Sequence, residues 1–141
     1  MEALYTAVAT TEGGRAGHVS SDDGVIDMDL SLPKGLGGSG EAKTNPEQLF
    51  AAGYSACYGS ALQHVAALHK IDLGNFSVTA NVSIGKSEEG DFQLEVVLDS
   101  YLPGQDVTTG EMLVNEAHEV CPYSRATENN IDVTLNLLLD E

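Results

Sequence analysis

The segment TNPEQLFAAGYSACYGSALQHVAAL, residues 44–68, decides the fold. From Leu49 to Leu68 apolar side chains fall on nearly every helical face, interleaved with small Ala51, Ala52, Gly53, Ala56 and Gly59. A helix of this kind is buried all round, and its small residues let neighbouring backbones come close. Its start carries two signals. Thr44 with Glu47 fits a capping box, and Asn45 fits a cap with Pro46 in the first helical position. The rest of the chain is then whatever surrounds this helix.

Before it, VIDMDLSLP (residues 25–33) alternates Ile26, Met28, Leu30 and Leu32 with polar residues, the pattern of a half-buried strand. With LYTAVAT (4–10) and the Asp22-Asp23-Gly24 turn, it predicts an antiparallel sheet in the N-terminal third. LPKGLGGSGEAKT follows; its glycines at 35, 37, 38 and 40 lack Walker spacing, and no Lys-Ser pair opens a helix there, so it reads as a connector. After the helix, FSVTANVSI (76–84) and FQLEVVLDSYL (92–102) alternate around an EEGD turn. VTTGEMLVNEAHEVC (107–121) reads as a second helix with Thr108 and Glu111 as its capping box and a stripe of Leu113, Ala117, Val120 and Cys121. IDVTLNLLL (131–139) closes a sheet. The order β-β-α-β-β-α-β, joined by hairpins rather than crossovers, predicts one α+β domain over residues 1–141, with antiparallel sheets around two central helices.

The formal charge is −16, from 22 acids against six bases. A field of that sign excludes phosphate-backbone and anionic-membrane partners and favours neutral or cationic ligands. An acid excess with few lysines also fits a high-salt host. The first residues lack the basic stretch and long apolar core of a secretory signal. The longest charge-free apolar stretch, LFAAGYSACYGSAL, has 14 residues, too few to span a bilayer. The expected setting is cytoplasmic. A cysteine pair in that reducing compartment points to catalysis, redox chemistry or metal binding rather than a structural staple.

The chain has two cysteines, Cys57 and Cys121, each on the apolar face of a predicted helix. Three readings stand on the residues alone. The first is a pair of inert buried thiols. The second is a metal site that adds His118, three residues before Cys121, although no CxxC, HxxH or HExxH supports it. The third is a redox pair, in which a thiolate attacks a peroxide oxygen and the second cysteine captures the sulfenic acid. A Cys57–His64 nucleophile pair fails on distance, since two helical turns rise about 10 Å. His18, His64, His69 and His118 read as surface or structural histidines. In the redox reading, burial raises the thiol pKa and nearby positive charge must lower it, so the two arginines matter. Arg15 lies in a glycine-flanked loop, EGGRAGH, and Glu47 is placed to grip it as a bidentate partner. Arg125 reads as a surface residue. In HEVCPYSRAT (118–127), Cys121 either ends the second helix or caps a short new one opened by Pro122. The stripe running into Cys121 favours the first.

TNPEQLFAAGYSACYGSAL, HEVCPYSRAT and GGRAGHVSSDDG together resemble the organic hydroperoxide resistance proteins, a branch of the Ohr/OsmC superfamily. The resemblance runs in order over essentially the whole chain, and both cysteines are present. It implies the OsmC-like fold, an intertwined homodimer with two active sites at the subunit interface, and reduction of organic hydroperoxides, fatty-acid hydroperoxides included, to alcohols. It implies no bound cofactor and no metal; the electrons come from dihydrolipoamide or a lipoylated protein. Carried over by motif, Cys57 resembles the peroxidatic cysteine and Cys121 the resolving one. Arg15 resembles the arginine that stabilises thiolate and peroxide, and Glu47 the carboxylate that orients it. Leu36, Leu49, Phe50 and Tyr54 are candidates for an apolar substrate wall. Tyr58 departs from the phenylalanine that relatives often carry. The competing class is a non-enzymatic member of the fold that binds a small molecule or serves structurally.

Overall fold

A computed structural model describes residues 1–140. The chain forms two compact units, Met1–Leu49 and the remainder from Phe50 on. The first holds β1 (Ala9–Glu12), β2 (His18–Ser21) and β3 (Asp27–Asp29), an antiparallel sheet in that order. The helix α1 (Pro46–Leu68) begins at its end. From Phe50 on come the body of α1, β4 (Ser77–Lys86), β5 (Phe92–Tyr101), α2 (Val107–Val120), α3 (Pro122–Thr127) and β6 (Val133–Leu138). The expected α+β class is present, with three α-helices among the described residues rather than two.

In the first unit both expected strands are shorter than their alternation. Regular strand in LYTAVAT starts only at Ala9, and in VIDMDLSLP it covers only Asp27–Asp29. Leu4, Tyr5, Val8, Val25, Ile26 and Met28 are exposed, while Leu30 and Val19 are buried. Alternation defines a face, and that face is covered at Leu30 but open at Ile26 and Met28. The connector returns beside β3: the Thr44 N–H donates to Asp29 O at 3.1 Å, and the Ser31 N–H to Thr44 O at 3.0 Å.

His18 lies across β2–β3 between Asp29 (Nδ1–Oδ1 2.6 Å) and Asp27, which meets its other ring nitrogen. Asp29 first and Asp27 second raise its pKa above the ordinary histidine value. A raised folded pKa stabilises the sheet fully below the ordinary value, and that contribution disappears as pH rises through the raised one. Amide exchange at the Val19–Met28 pair is therefore expected to quicken across this window, and a His18→Gln chain to lack the step.

At the start of α1, Asn45 is the cap. Its Oδ1 accepts the Gln48 N–H at 2.8 Å, and Pro46 takes the first helical position. The Thr44–Glu47 capping box does not form; the Thr44 hydroxyl donates to Gln48 Oε1 at 3.1 Å. This leaves the Glu47 carboxylate free for another partner.

In the second unit β4 and β5 pair antiparallel over ten residues each, with Val82 opposite Val96. β6 runs parallel to β5, with Val96 opposite Val133. The expectation of antiparallel sheets joined by hairpins holds for β1 to β5 and is corrected for β6 alone. A parallel neighbour cannot be reached by a tight turn, so α2 and α3 form the crossover. Alternation in IDVTLNLLL gives the strand's face but not its direction. Val96 and Leu98 of β5, Leu62 and Val65 of α1, and Leu113 and Ala117 of α2 form a fully or nearly fully buried core.

Nor is α1 buried on all sides: Tyr54, Tyr58, Ala61, Leu62, Val65 and Ala66 are buried, whereas Ala52, Ala56, Ser60 and Ala67 are exposed. Ala52, Ala56 and Ser60 thus mark an open face, while Gly53 and Gly59 are half-buried. In α2 the cap is Asp106, whose Oδ1 accepts the Thr109 N–H at 2.7 Å, so the Thr108 box is not made. Val114 replaces Val120 in the buried stripe, and Val120 is exposed. Among the described residues no helix is long and apolar enough to cross a membrane.

Candidate active site

The backbone at Cys121 combines the two geometries open to it. With φ −65° and ψ 121° it is extended, ending α2 and capping α3 at once. Its N–H donates to Ala117 O at 2.9 Å, and its carbonyl accepts the Arg125 N–H at 3.0 Å. The short helix is the half that the apolar stripe conceals, and Pro122 at its first position is the signal for it.

This kink brings Cys121 to Cys57 on α1. Both thiols are free, with Sγ–Sγ 3.7 Å; Cys121 is fully buried and Cys57 partly exposed. A disulfide needs about 2.0 Å between the sulfurs, so a small adjustment would close the bond. Burial pushes the Cys57 thiol above its ordinary pKa; the Tyr123 backbone N–H opposes this, and Cys121 beside it adds to the rise. Unaided, Cys57 is a weak nucleophile at neutral pH.

Aromatic rings stand next to the pair. Phe50, Tyr54 and Tyr123 meet edge to face or tilted, with centroids 5.6 to 6.2 Å apart. Gly53 makes this possible: a Cβ there would lie 2.8 Å from the Tyr123 hydroxyl. Tyr54 is fully buried, and its hydroxyl is engaged with Ser124 Oγ at 2.7 Å. Tyr123 is absent from the residues that the sequence singles out; only its place after Cys121-Pro122 points to it. Tyr58 is also fully buried and donates to Val114 O at 2.7 Å.

Arg15 and Glu47 meet within the first unit. The guanidinium grips the carboxylate fork to fork, Nη1–Oε2 2.8 Å and Nη2–Oε1 2.6 Å. Arg15 sits in a tight 3₁₀ turn, Gly14–Ala16, closed by Gly17, where any Cβ would overlap the Glu12 carbonyl. The hydrogen bond from Arg15 holds the Glu47 carboxyl below the usual carboxylate range, and Glu47 in turn raises Arg15. Leu36, ending the turn Lys34–Leu36, and Leu49, in the first turn of α1, are half-buried in this unit.

His64 and Arg125 are exposed, and His69 pairs with Glu116 at 2.9 Å. Among the described residues no three His, Cys, Asp or Glu side chains converge as metal ligands.

The family model for OsmC-like proteins matches residues 37–136. The organic hydroperoxide resistance protein OhrB of Bacillus subtilis is 48% identical over 136 residues, covering 96% of this chain and 98% of its own. A protein of the same name from Xanthomonas axonopodis pv. citri is 51% identical over 95% of this chain and 94% of its own. The crystal structure of an organic hydroperoxide resistance protein from Elizabethkingia anophelis, 50% identical, superposes with a TM-score of 0.93 over 99% of this chain and 100% of that one. A close thiol pair on this fold, with relatives of that name over nearly its full length, places the chain in the OsmC-like family, among the organic hydroperoxide resistance proteins.

Proposed function

We propose that this chain is a thiol peroxidase that reduces organic hydroperoxides, fatty-acid hydroperoxides included, to alcohols. The observation that carries the reading is the 3.7 Å separation between a partly exposed Cys57 and a fully buried Cys121. The exposed thiol is the one a substrate can reach; the buried one is shielded from peroxide and held for the sulfenic acid. The Cys57 thiolate attacks the distal peroxide oxygen, the O–O bond breaks, and the alkoxide takes a proton and leaves as the alcohol. The Cys121 thiolate then attacks the Cys57 sulfenic sulfur; hydroxide leaves as water with one proton, and an Sγ–Sγ bond forms. Two electrons from an external dithiol, dihydrolipoamide or a lipoylated protein, restore both thiols. No bound cofactor enters the cycle.

Arg15 supplies the positive charge that the Cys57 thiolate needs, and Glu47 orients it. The apolar substrate wall is assigned to Leu36, Leu49, Phe50 and Tyr54, with the ring of Tyr123 packed against the last two. The exposed apolar residues of the first unit and the small-residue face of α1 support an intertwined homodimer, in which a second copy covers them. The acidic surface and the thiol chemistry suit a cytoplasmic setting.

A steady-state assay tests the reading by comparing a tert-alkyl or lipid hydroperoxide with hydrogen peroxide, using dihydrolipoamide and then thioredoxin as reductant. Preference for the organic peroxide and for dihydrolipoamide is expected. Thiol counting separates the competing class, a binding or structural member of the fold: one equivalent of organic hydroperoxide should remove two thiols per chain, whereas a non-enzymatic protein keeps both.

A further inference from the structure

Cys121 is the only residue between α2 and α3, so the angle between those helices sets where its sulfur points. α3 has six residues, far short of the roughly 12–15 that an isolated helix needs to hold its shape. Its placement must come from what it packs against. Two buried hydroxyls from α1 provide that support on either side of the junction. Tyr54 and Tyr58 are four residues apart and stack on one face of the helix that carries Cys57. The Tyr54 hydroxyl reaches α3, at Ser124 Oγ (2.7 Å) and Thr127 Oγ1 (3.4 Å). The Tyr58 hydroxyl reaches α2, donating to Val114 O at 2.7 Å. Tyr54, Tyr58 and Ser124 are essentially without solvent exposure, so water cannot substitute for a lost contact at little cost.

We infer that Tyr54 and Tyr58 are positioning residues: their hydroxyls clamp α3 and α2 to α1 on the two sides of Cys121 and thereby set the Cys57–Cys121 spacing. The inference rests on the redox-pair reading above, but not on any peroxide substrate. It also gives a role to the Tyr58 hydroxyl, which a phenylalanine would lack. A ring without the oxygen fills the same space and leaves the helix junction free to drift. A junction free to drift holds the two sulfurs together less of the time in the narrow geometry that a disulfide requires.

The test is the thiol–disulfide equilibrium of the full chain against glutathione. Oxidised glutathione takes the two electrons and two protons of the Cys57 and Cys121 thiols, leaving the Sγ–Sγ bond and two glutathione thiols. The equilibrium constant is expected to fall roughly tenfold in Tyr54→Phe and in Tyr58→Phe, and further in the double variant. Ser124→Ala, which removes the Tyr54 partner without touching α1, should fall in the same direction and serves if a tyrosine variant does not fold. Denaturant unfolding of the reduced and oxidised forms accompanies each measurement. A merely structural role would destabilise both forms equally and leave the equilibrium constant at the wild-type value, and that result overturns the inference. A wild-type chain that forms no disulfide overturns it together with the peroxidase reading. A chain that forms the disulfide with the expected dependence but turns over no hydroperoxide sinks the peroxidase reading alone.

Discussion

A Cys57→Ser chain is expected to show no turnover of alkyl hydroperoxides above the uncatalysed rate, while Cys121→Ser consumes a single equivalent and stops. The asymmetry follows from exposure. Cys57 is the partly exposed sulfur of the pair and Cys121 has no solvent exposure, so removing Cys57 removes the group that meets peroxide. A serine hydroxyl in its place is far too weak an acid to offer an anion at neutral pH. Removing Cys121 leaves that encounter intact but strands Cys57 as a sulfenic acid, which a sulfenic-specific reagent should trap and intact mass should report as one added oxygen. Cys121 packs in the core, so circular dichroism on both variants must first show a native fold. Full turnover by Cys57→Ser, or a second equivalent consumed by Cys121→Ser without added thiol, would remove the assigned roles.

Residues with strong local chemistry are legible in the sequence. Pro46 after Asn45 marks the start of α1, and alternation places β4, β5 and β6 within a few residues of where they lie. What alternation does not encode is the partner. β6 reads the same whether its neighbour runs parallel or antiparallel, because the two-residue period is common to both. The parallel pairing becomes visible only with the α2–α3 crossover. The same limit explains the overestimate for α1. Small apolar residues look like core in a sequence, but Ala52, Ala56 and Ser60 stand open in the single chain, and a pattern cannot say whether the same chain or another covers them. The cysteine pair is legible through its motifs alone, since 64 positions of separation carry no contact information. Tyr123 escapes a sequence reading because an exposed tyrosine after a proline has no period to belong to. Its ring is placed by Gly53, far away along the chain.

Arg15→Lys is expected to lower kcat/KM for organic hydroperoxide about a hundredfold or more, the usual scale for losing a donor aimed at developing charge. The reason begins with the thiol. Burial raises Cys57, so a cation is needed to bring the thiolate into the neutral range, and the chain has 6 bases among 141 residues. A lysine keeps the charge but loses the planar fork. It cannot hold both Glu47 oxygens, as Arg15 does at 2.6 and 2.8 Å, and still present a donor to sulfur or peroxide. Glu47→Gln is the milder lesion, roughly tenfold, since an amide accepts from one nitrogen and carries no charge. The pH profiles separate the two partners. Arg15 depresses the Glu47 carboxyl, so the pair's contribution is present above the ordinary carboxylate pKa and is lost only as pH falls through the depressed value. Across the neutral range the pair is constant, and the rise of activity with pH reports Cys57 ionisation alone. In Arg15→Lys that rise should move to higher pH, because less of the thiolate is stabilised. Measured kcat/KM from acid to alkaline pH, with ultraviolet thiolate absorbance followed on the same samples, checks the shift; a wild-type profile at a wild-type rate would remove Arg15 from the chemistry.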